Sequence, residues 1–218
     1  MSGTVVYTAI FGPMVAKDHL YLPTVSPGTR CVAFMDVKTP QRLSGWEILP
    51  SVFSHVNAQR KARQHKLLSH VVFPSADYTL WVDGNFTPLC DPEQLVQRYL
   101  TSTDIAVFKH RQRSCVYEEL SACLRLKKDD PVVMQRQIFG YKQEGYPANN
   151  GLAETCALIR RHSDQVRVFN ELWWHELSNN SVRDQLSFDY CVWRQGMHYT
   201  TFSQDRLHCP YFQGRAHR

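Results

Sequence analysis

Five short apolar runs, rich in β-branched residues and almost uninterrupted, constrain this chain most: Thr4 to Ile10 (TVVYTAI), Arg30 to Asp36 (RCVAFMD), Tyr78 to Asp83 (YTLWVD), Asp104 to Phe108 (DIAVF) and Thr155 to Ile159 (TCALI). A strand with one wet face alternates polar and apolar side chains. A continuous apolar run suits a strand covered on both faces. Helix starts fall between the runs. Asp91-Pro92 and Asp130-Pro131 each offer an N-cap carboxylate followed by proline at the first helical position, and Ser181-Val182-Arg183-Asp184 reads as a capping box. Val166, Phe169, Leu172 and Trp173 share one helical face, as do Leu186, Tyr190 and Trp193; Gly145 and Gly196 are placed to end helices. The fold class expected is α/β, with a mostly parallel central sheet flanked by helices. Ligands of such sheets sit beyond the carboxyl ends of the strands, which puts weight on Phe11, Asp36, Asp83-Gly84-Asn85 and His110.

The length of 218 residues suits one domain, 1–218, rather than two. With 43% hydrophobic and 21% charged residues the chain is not disordered as a whole. No apolar run approaches the roughly 18 residues of a membrane span, and Met1-Ser2-Gly3-Thr4 lacks the basic start of a secretory signal, so a soluble, cytoplasmic setting without membrane contact is expected. The net charge of +5 suits anionic partners such as phosphates, nucleotides or nucleic acid, or is only a soluble surface rich in arginine. Seven cysteines without a C-x-x-C read as buried thiols rather than a zinc site or disulfide framework. The P-loop, G-x-G-x-x-G, G-x-S-x-G and H-E-x-x-H patterns do not occur.

Four segments carry groups able to do chemistry. In Trp81-Val82-Asp83-Gly84-Asn85 an apolar strand delivers a carboxylate, and a second oxygen ligand follows two residues on. That suits a divalent cation holding a diphosphate, or merely a turn that closes a strand. Arg63, Lys66 and His70 fall on one face of the helix from Arg60 to His70, either to neutralise a diphosphate or as a solvated flank. Asp184 is the acid of the expected capping box or a carboxylate facing the cleft, with Arg183 beside it as phosphate clamp or ion-pair partner. The stretch from Phe108 to Glu119, with His110, Arg113 and Glu118, is dense in groups that bind hydroxyls or phosphates, and its two glutamates also complement a helix start.

The ordered set VVYTAIFG, AFMD, R-x-x-K-x-x-x-H, DYTLWVDGN, DIAVFKHRQRSCVYEE, KKDDP, GL-x-E, LWWHE and SVRDQLSF resembles the GT-A-type glycosyltransferase family of plant mucilage- and pectin-related galacturonosyltransferase-like proteins. The resemblance spans Val5 to Tyr190 and implies a GT-A-like, nucleotide-diphospho-sugar transferase domain. It also implies a nucleotide-sugar donor, with a UDP-sugar expected, and a divalent cation, Mn²⁺ or Mg²⁺. Its matched positions assign Tyr7, Thr8, Ile10 and Phe11 to base and ribose, and Arg63, Lys66, Asp83, Gly84 and Asn85 to the donor phosphates and metal. Asp184 and Gln185 match the late acidic pair that faces the reacting sugar or acceptor, which makes Asp184 the catalytic residue, as base, as stabiliser of the sugar cation or as the group that orients the acceptor; His110, Arg113, Glu118 and Glu154 are expected beside Gln185 as further sugar- or acceptor-binding residues. A late histidine often completes the metal site in such folds, which singles out His208 and then His198. Two departures stand out: Asn85 replaces a second acid, and the anchors and long N-terminal regions of the plant members have no counterpart.

The function expected is transfer of a sugar to a hydroxyl, on a glycan or glycoconjugate by default, or on a hydroxylated base in DNA as in viral DNA-modifying enzymes. The pectin-related relatives point to retention of configuration. A non-catalytic nucleotide- or nucleic-acid-binding protein on a degenerate GT-A fold is the alternative.

Overall fold

The computed structural model describes residues 3–16 and 18–215. Its elements are β1 (Thr4–Ile10), a 3₁₀ turn (Gly12–Ala16), β2 (Cys31–Met35), β3 (Gln41–Leu43), β4 (Trp46–Pro50), α1 (Ala58–Leu67), α2 (Ser69–Val72), β5 (Tyr78–Val82), β6 (Phe86–Pro88) and α3 (Pro92–Tyr99). There follow β7 (Ile105–Lys109), α4 (Val116–Arg125), α5 (Pro131–Gln143), β8 (Ala153–Arg161), α6 (Asp164–Asn179), α7 (Asp184–Arg194), β9 (Thr200–Thr201) and β10 (Phe212–Gly214). The main sheet runs β3-β4-β2-β1-β5-β8-β7-β9, and β6 pairs with β10 in a small antiparallel ribbon. The β1–β2, β2–β4, β1–β5 and β7–β9 pairs are parallel; β3 and β8 run against their neighbours.

The expected α/β class and mostly parallel sheet hold. All seven residues of β1 are buried, as its unbroken apolar run requires. Side chains alternate across the sheet. Tyr7, Phe34 and Trp81 pack on one face with Phe169, Trp173 and Phe188, while Val6, Leu80 and Val82 pack on the other with Leu95, Phe108 and Phe202. Each fully buried side chain of this size contributes about 1.5–3 kcal/mol. Asp91 and Asp130 cap α3 and α5 as expected, accepting from Glu93 N and from Val132 N and Val133 N. Gly145 and Gly196 follow α5 and α7 at φ +83° and +59°.

Two local expectations are corrected. The helix from Arg60 does not run on to His70: it breaks at Leu68, and His70 turns to Glu171 Oε1 at 3.0 Å and Asn170 on α6. The capping box at Ser181 does not form either. Ser181 Oγ donates to Asp129 Oδ2 at 2.6 Å and accepts from Arg183 N, and α7 begins only at Asp184, whose carboxylate is therefore not spent on a cap.

Candidate active site

A cleft of about 520 Å³ opens where β1, β5 and β8 meet the N-terminus of α7. One side is built on the end of α1. The carbonyls of Lys66 and Leu67 belong to the last turn of that helix, where backbone acceptors lack intrahelical partners. The Tyr7 hydroxyl donates to Lys66 O at 2.9 Å, and Arg160, wholly buried on β8, donates to Lys66 O, to Leu67 O and to Tyr7 Oη. This fastening sends the Lys66 ammonium into the cleft, where only 1% of its side chain is exposed.

Lys66 Nζ donates to Asp184 Oδ2 at 2.5 Å and to Thr155 Oγ1 at 3.0 Å, and Thr155 Oγ1 donates to the same Asp184 oxygen. Arg63 Nε lies 3.5 Å from Asp184 Oδ1. Burial works against ionising Asp184, but the charges of Arg63, Lys66 and Arg183 outweigh it and hold the carboxyl well below the ordinary range. Asp83 stands across from Asp184: its Oδ1 accepts from Trp81 Nε1 at 2.8 Å and lies 3.7 Å from Lys66 Nζ and 3.9 Å from Arg63. Two cations thus bridge two carboxylates, one just past the end of β5 and one at the first residue of α7. Gly84 is closely packed: a Cβ there would meet Asp18 Oδ2 and Ile10 Cδ1 at 2.9 Å, and both side chains would have to shift. Asn85 Nδ2 donates to Arg215 O at 2.7 Å, which leaves its Oδ1 as the free end of the amide.

The opposite wall depends on a β-bulge. Val107 faces Leu158 but Phe108 faces Glu154, so Thr155, Cys156 and Ala157 of β8 have no partners on β7. The freed segment leans towards β5, where Cys156 O accepts from Asp83 N at 2.8 Å. Bulges commonly re-aim side chains beside functional sites; this one brings Glu154, Thr155 and Cys156 to the cleft wall. Asp129 ties the loop before α5 to the loop before α7 through Ser181 Oγ and Val182 N, and Lys128 and Arg183 line the rim between them.

Against this geometry, residues 34–211 match the TOD1/MUCI70, glycosyltransferase-like domain. The chain belongs to this family. It is 32% identical over 142 residues to the probable hexosyltransferase MUCI70 of Arabidopsis thaliana, covering 61% of this chain and 24% of that protein. It is 27% identical over 163 residues to the alkaline ceramidase TOD1 of the same plant, covering 68% of this chain and 35% of that protein. The chain thus spans about a quarter to a third of the length of these relatives.

For this member of the TOD1/MUCI70 family, the cleft gathers Phe11, Arg63, Lys66, Asp83, Gly84, Asn85, Glu154, Arg183, Asp184 and Gln185 of the residues singled out in the sequence. It does not gather the others. Tyr7 is a core residue fastening α1, Ile10 packs beneath Gly84, and Thr8 is buried in β1. The phase of α4 turns Glu118 outward and Glu119 inward, where Glu119 accepts from Arg113 Nε at 2.6 Å. His110 and Arg113 stand behind the wall, with His110 Nε2 3.8 Å from Glu154 Oε1. His208 does not line the cleft: its side chain is 70% exposed and bonds Asp205 at 3.0 Å, and His198 is exposed as well. Thr155, Arg206, Lys128 and Asp18 line the cleft without having been singled out. Of these only Thr155 had a local signal, its place beside Glu154 at a strand start. The others arrive by tertiary packing. Among the described residues no helix is long and apolar enough to cross a membrane, and no group of three or more His, Cys, Asp or Glu could hold a metal ion.

Proposed function

We propose that this chain transfers a sugar from a nucleotide-sugar donor to a hydroxyl of a glycan or glycoconjugate. The observation that carries the reading is the pair of cations, Lys66 and Arg63, held between Asp83 at the end of β5 and Asp184 at the start of α7. A diphosphate leaving group develops negative charge in the transition state. Preorganised cations in a partly dry cleft stabilise that charge without reorganising. Lys128, Arg183 and Arg206 add positive charge at the rim.

A divalent cation fits as a supplement. Asp83 Oδ2 carries no hydrogen bond from a described residue, and the Asn85 amide oxygen is turned free by the Arg215 carbonyl. Two hard oxygen ligands, completed by substrate phosphates and water, are the usual protein share for Mg²⁺. Bound there, the ion would supply Lewis-acid neutralisation of the diphosphate. Asp184, pinned by Lys66 and Arg63, is too weak a base to take a proton; it holds Lys66 in place and offers negative charge to a sugar that becomes cationic.

One relative is named a probable hexosyltransferase and the other an alkaline ceramidase. A wall of charged and amide side chains suits a diphosphate and a hydroxyl-rich acceptor better than the acyl chain of a ceramide. The test is a donor screen with Mg²⁺ or Mn²⁺ that reads release of nucleoside diphosphate. Turnover of a nucleotide sugar, lost in Lys66→Met, supports the reading. Salt-sensitive binding to duplex DNA with glucosylation of hydroxymethylated bases would move the acceptor to DNA. Turnover unaffected by Lys66→Met would remove the basis of the proposal.

A further inference from the structure

Transfer to a hydroxyl needs somewhere for the hydroxyl proton to go, and the cleft is lined by four carboxylates: Asp18, Asp83, Glu154 and Asp184. Asp184 spends both oxygens on Lys66, Thr155 and Arg63, and Asp83 lies within 4.0 Å of the same two cations. Asp18 is wedged against Gly84. Glu154 is placed differently. It is set on the wall by the bulge in β8, with 14% of its side chain exposed. Its Oε1 lies 3.4 Å from Arg206 Nε and 3.8 Å from His110 Nε2, and its Oε2, itself buried just beneath the cleft wall, has no hydrogen-bond partner among the described residues. Arg206 comes from the segment before β10, His110, Arg111 and Arg113 from the loop after β7, Glu119 from α4, and Cys156 from β8 itself.

We propose that Glu154 is the base that accepts the proton of the acceptor hydroxyl, so that the sugar is transferred by direct displacement with inversion at its anomeric carbon. This rests on the reading of the cleft as a nucleotide-sugar site. In the step, the acceptor oxygen uses a lone pair to form the new bond to the anomeric carbon. The bond from that carbon to the diphosphate oxygen breaks, its electron pair leaving on the nucleoside diphosphate. The hydroxyl proton passes to the Glu154 carboxylate.

The electrostatics agree with the geometry. Burial raises the pKa of Glu154 above the ordinary carboxylate value, against the pull of Arg206 and Arg111 and with some help from Glu119. Asp184, on the other side of Thr155, is driven the opposite way. Two carboxylates in one cleft with basicities pushed apart are the pattern that separates a proton-transfer group from a charge-stabilising one. His110 does not compete for the proton, because burial and Arg113 lower its pKa. Proton transfer to Glu154 predicts inversion, in place of the retention implied by the pectin-related resemblance.

The experiment compares wild type with Glu154→Gln, which keeps the shape and cannot accept the proton, and with Asp184→Asn. Three quantities are read: donor affinity by calorimetry, kcat against pH at saturating donor, and the anomeric configuration of the product by proton NMR. For Glu154→Gln we expect donor affinity within about twofold of wild type, a kcat lower by about 10²–10⁴-fold, and loss of the acidic limb of the profile. Asp184→Asn keeps that limb at whatever rate remains, and the product is inverted. A retained product, or Glu154→Gln with kcat within tenfold of wild type and its acidic limb intact, overturns the role of Glu154. A wild-type protein that neither binds nor turns over any nucleotide sugar overturns the underlying reading instead.

Discussion

Lys66 and Asp184 form a closed ion pair, 2.5 Å from Nζ to Oδ2, with 1% and 5% of their side chains exposed. They lie 118 residues apart in sequence, and Thr155 donates to the same carboxylate oxygen from a third element. Removing one partner of such a pair leaves an uncompensated buried charge, which costs about 3–5 kcal/mol, whereas replacing both by apolar groups of similar volume is often neutral. Lys66→Met alone is therefore expected to lower stability by that amount. The double variant Lys66→Met, Asp184→Leu is expected to recover most of it while remaining inactive. Urea unfolding of the three proteins checks this. A single variant that costs under 1 kcal/mol would show the pair to be solvated.

The same pair sets an acid limit. The folded-state pKa of Asp184 lies below its unfolded value of about 3.9. Between the two values the unfolded chain binds the extra proton, so the stability contributed by Asp184 is complete above about pH 5 and is lost as pH falls through 4 towards the folded value. The stability difference between wild type and Asp184→Asn is expected to shrink as pH drops from 5 to 2.5. A difference constant over that range would contradict the assignment.

Tyr7→Phe separates two roles for a residue that the family resemblance places at the donor base. The structure gives its hydroxyl to Lys66 O and Arg160 instead. The variant is expected to lose about 0.5–1.5 kcal/mol of stability, the worth of a typical hydrogen bond, and to bind donor within about twofold of wild type. A tenfold loss of donor affinity at unchanged stability would return Tyr7 to the donor site.

How far these arrangements could be read from sequence follows from their range. β1 was legible to the residue because a run buried on both faces carries its own signal, and the caps at Asp91 and Asp130 were legible because a cap is a contact between near neighbours. Arg63, Lys66, Asp83 and Asp184 were found from helical phase, strand ends and family resemblance, and the cleft brings them together. The bulge in β8, the break at Leu68 and the fastening of α1 by Arg160 were not legible, because each is decided by a partner far off in the chain. The capping box misled for the same reason: Asp129, 52 residues away from Ser181, outbids the local cap.

Metal removal distinguishes the two sources of positive charge. With Lys66 and Arg63 fixed in the cleft, a chelator is expected to weaken donor binding without abolishing it, and Asp83→Ala is expected to erase the remaining response to Mn²⁺. His208→Ala should leave the metal response unchanged, since that side chain pairs with Asp205 outside the cleft. Titration of donor with and without chelator reads all three, and a loss of metal response in His208→Ala would contradict the site as described.

The most direct test of the central claim is calorimetric titration of a panel of nucleoside diphosphates, with Mg²⁺ present, into wild type and Arg63→Ala. Arg63 approaches both Asp83 and Asp184 from the accessible side of the cleft. We predict one saturable site for at least one nucleoside diphosphate, with affinity at least tenfold weaker in Arg63→Ala, titrated at a temperature where circular dichroism shows the variant still folded. No binding of any nucleoside diphosphate to wild type, or equal binding to the variant, would contradict it.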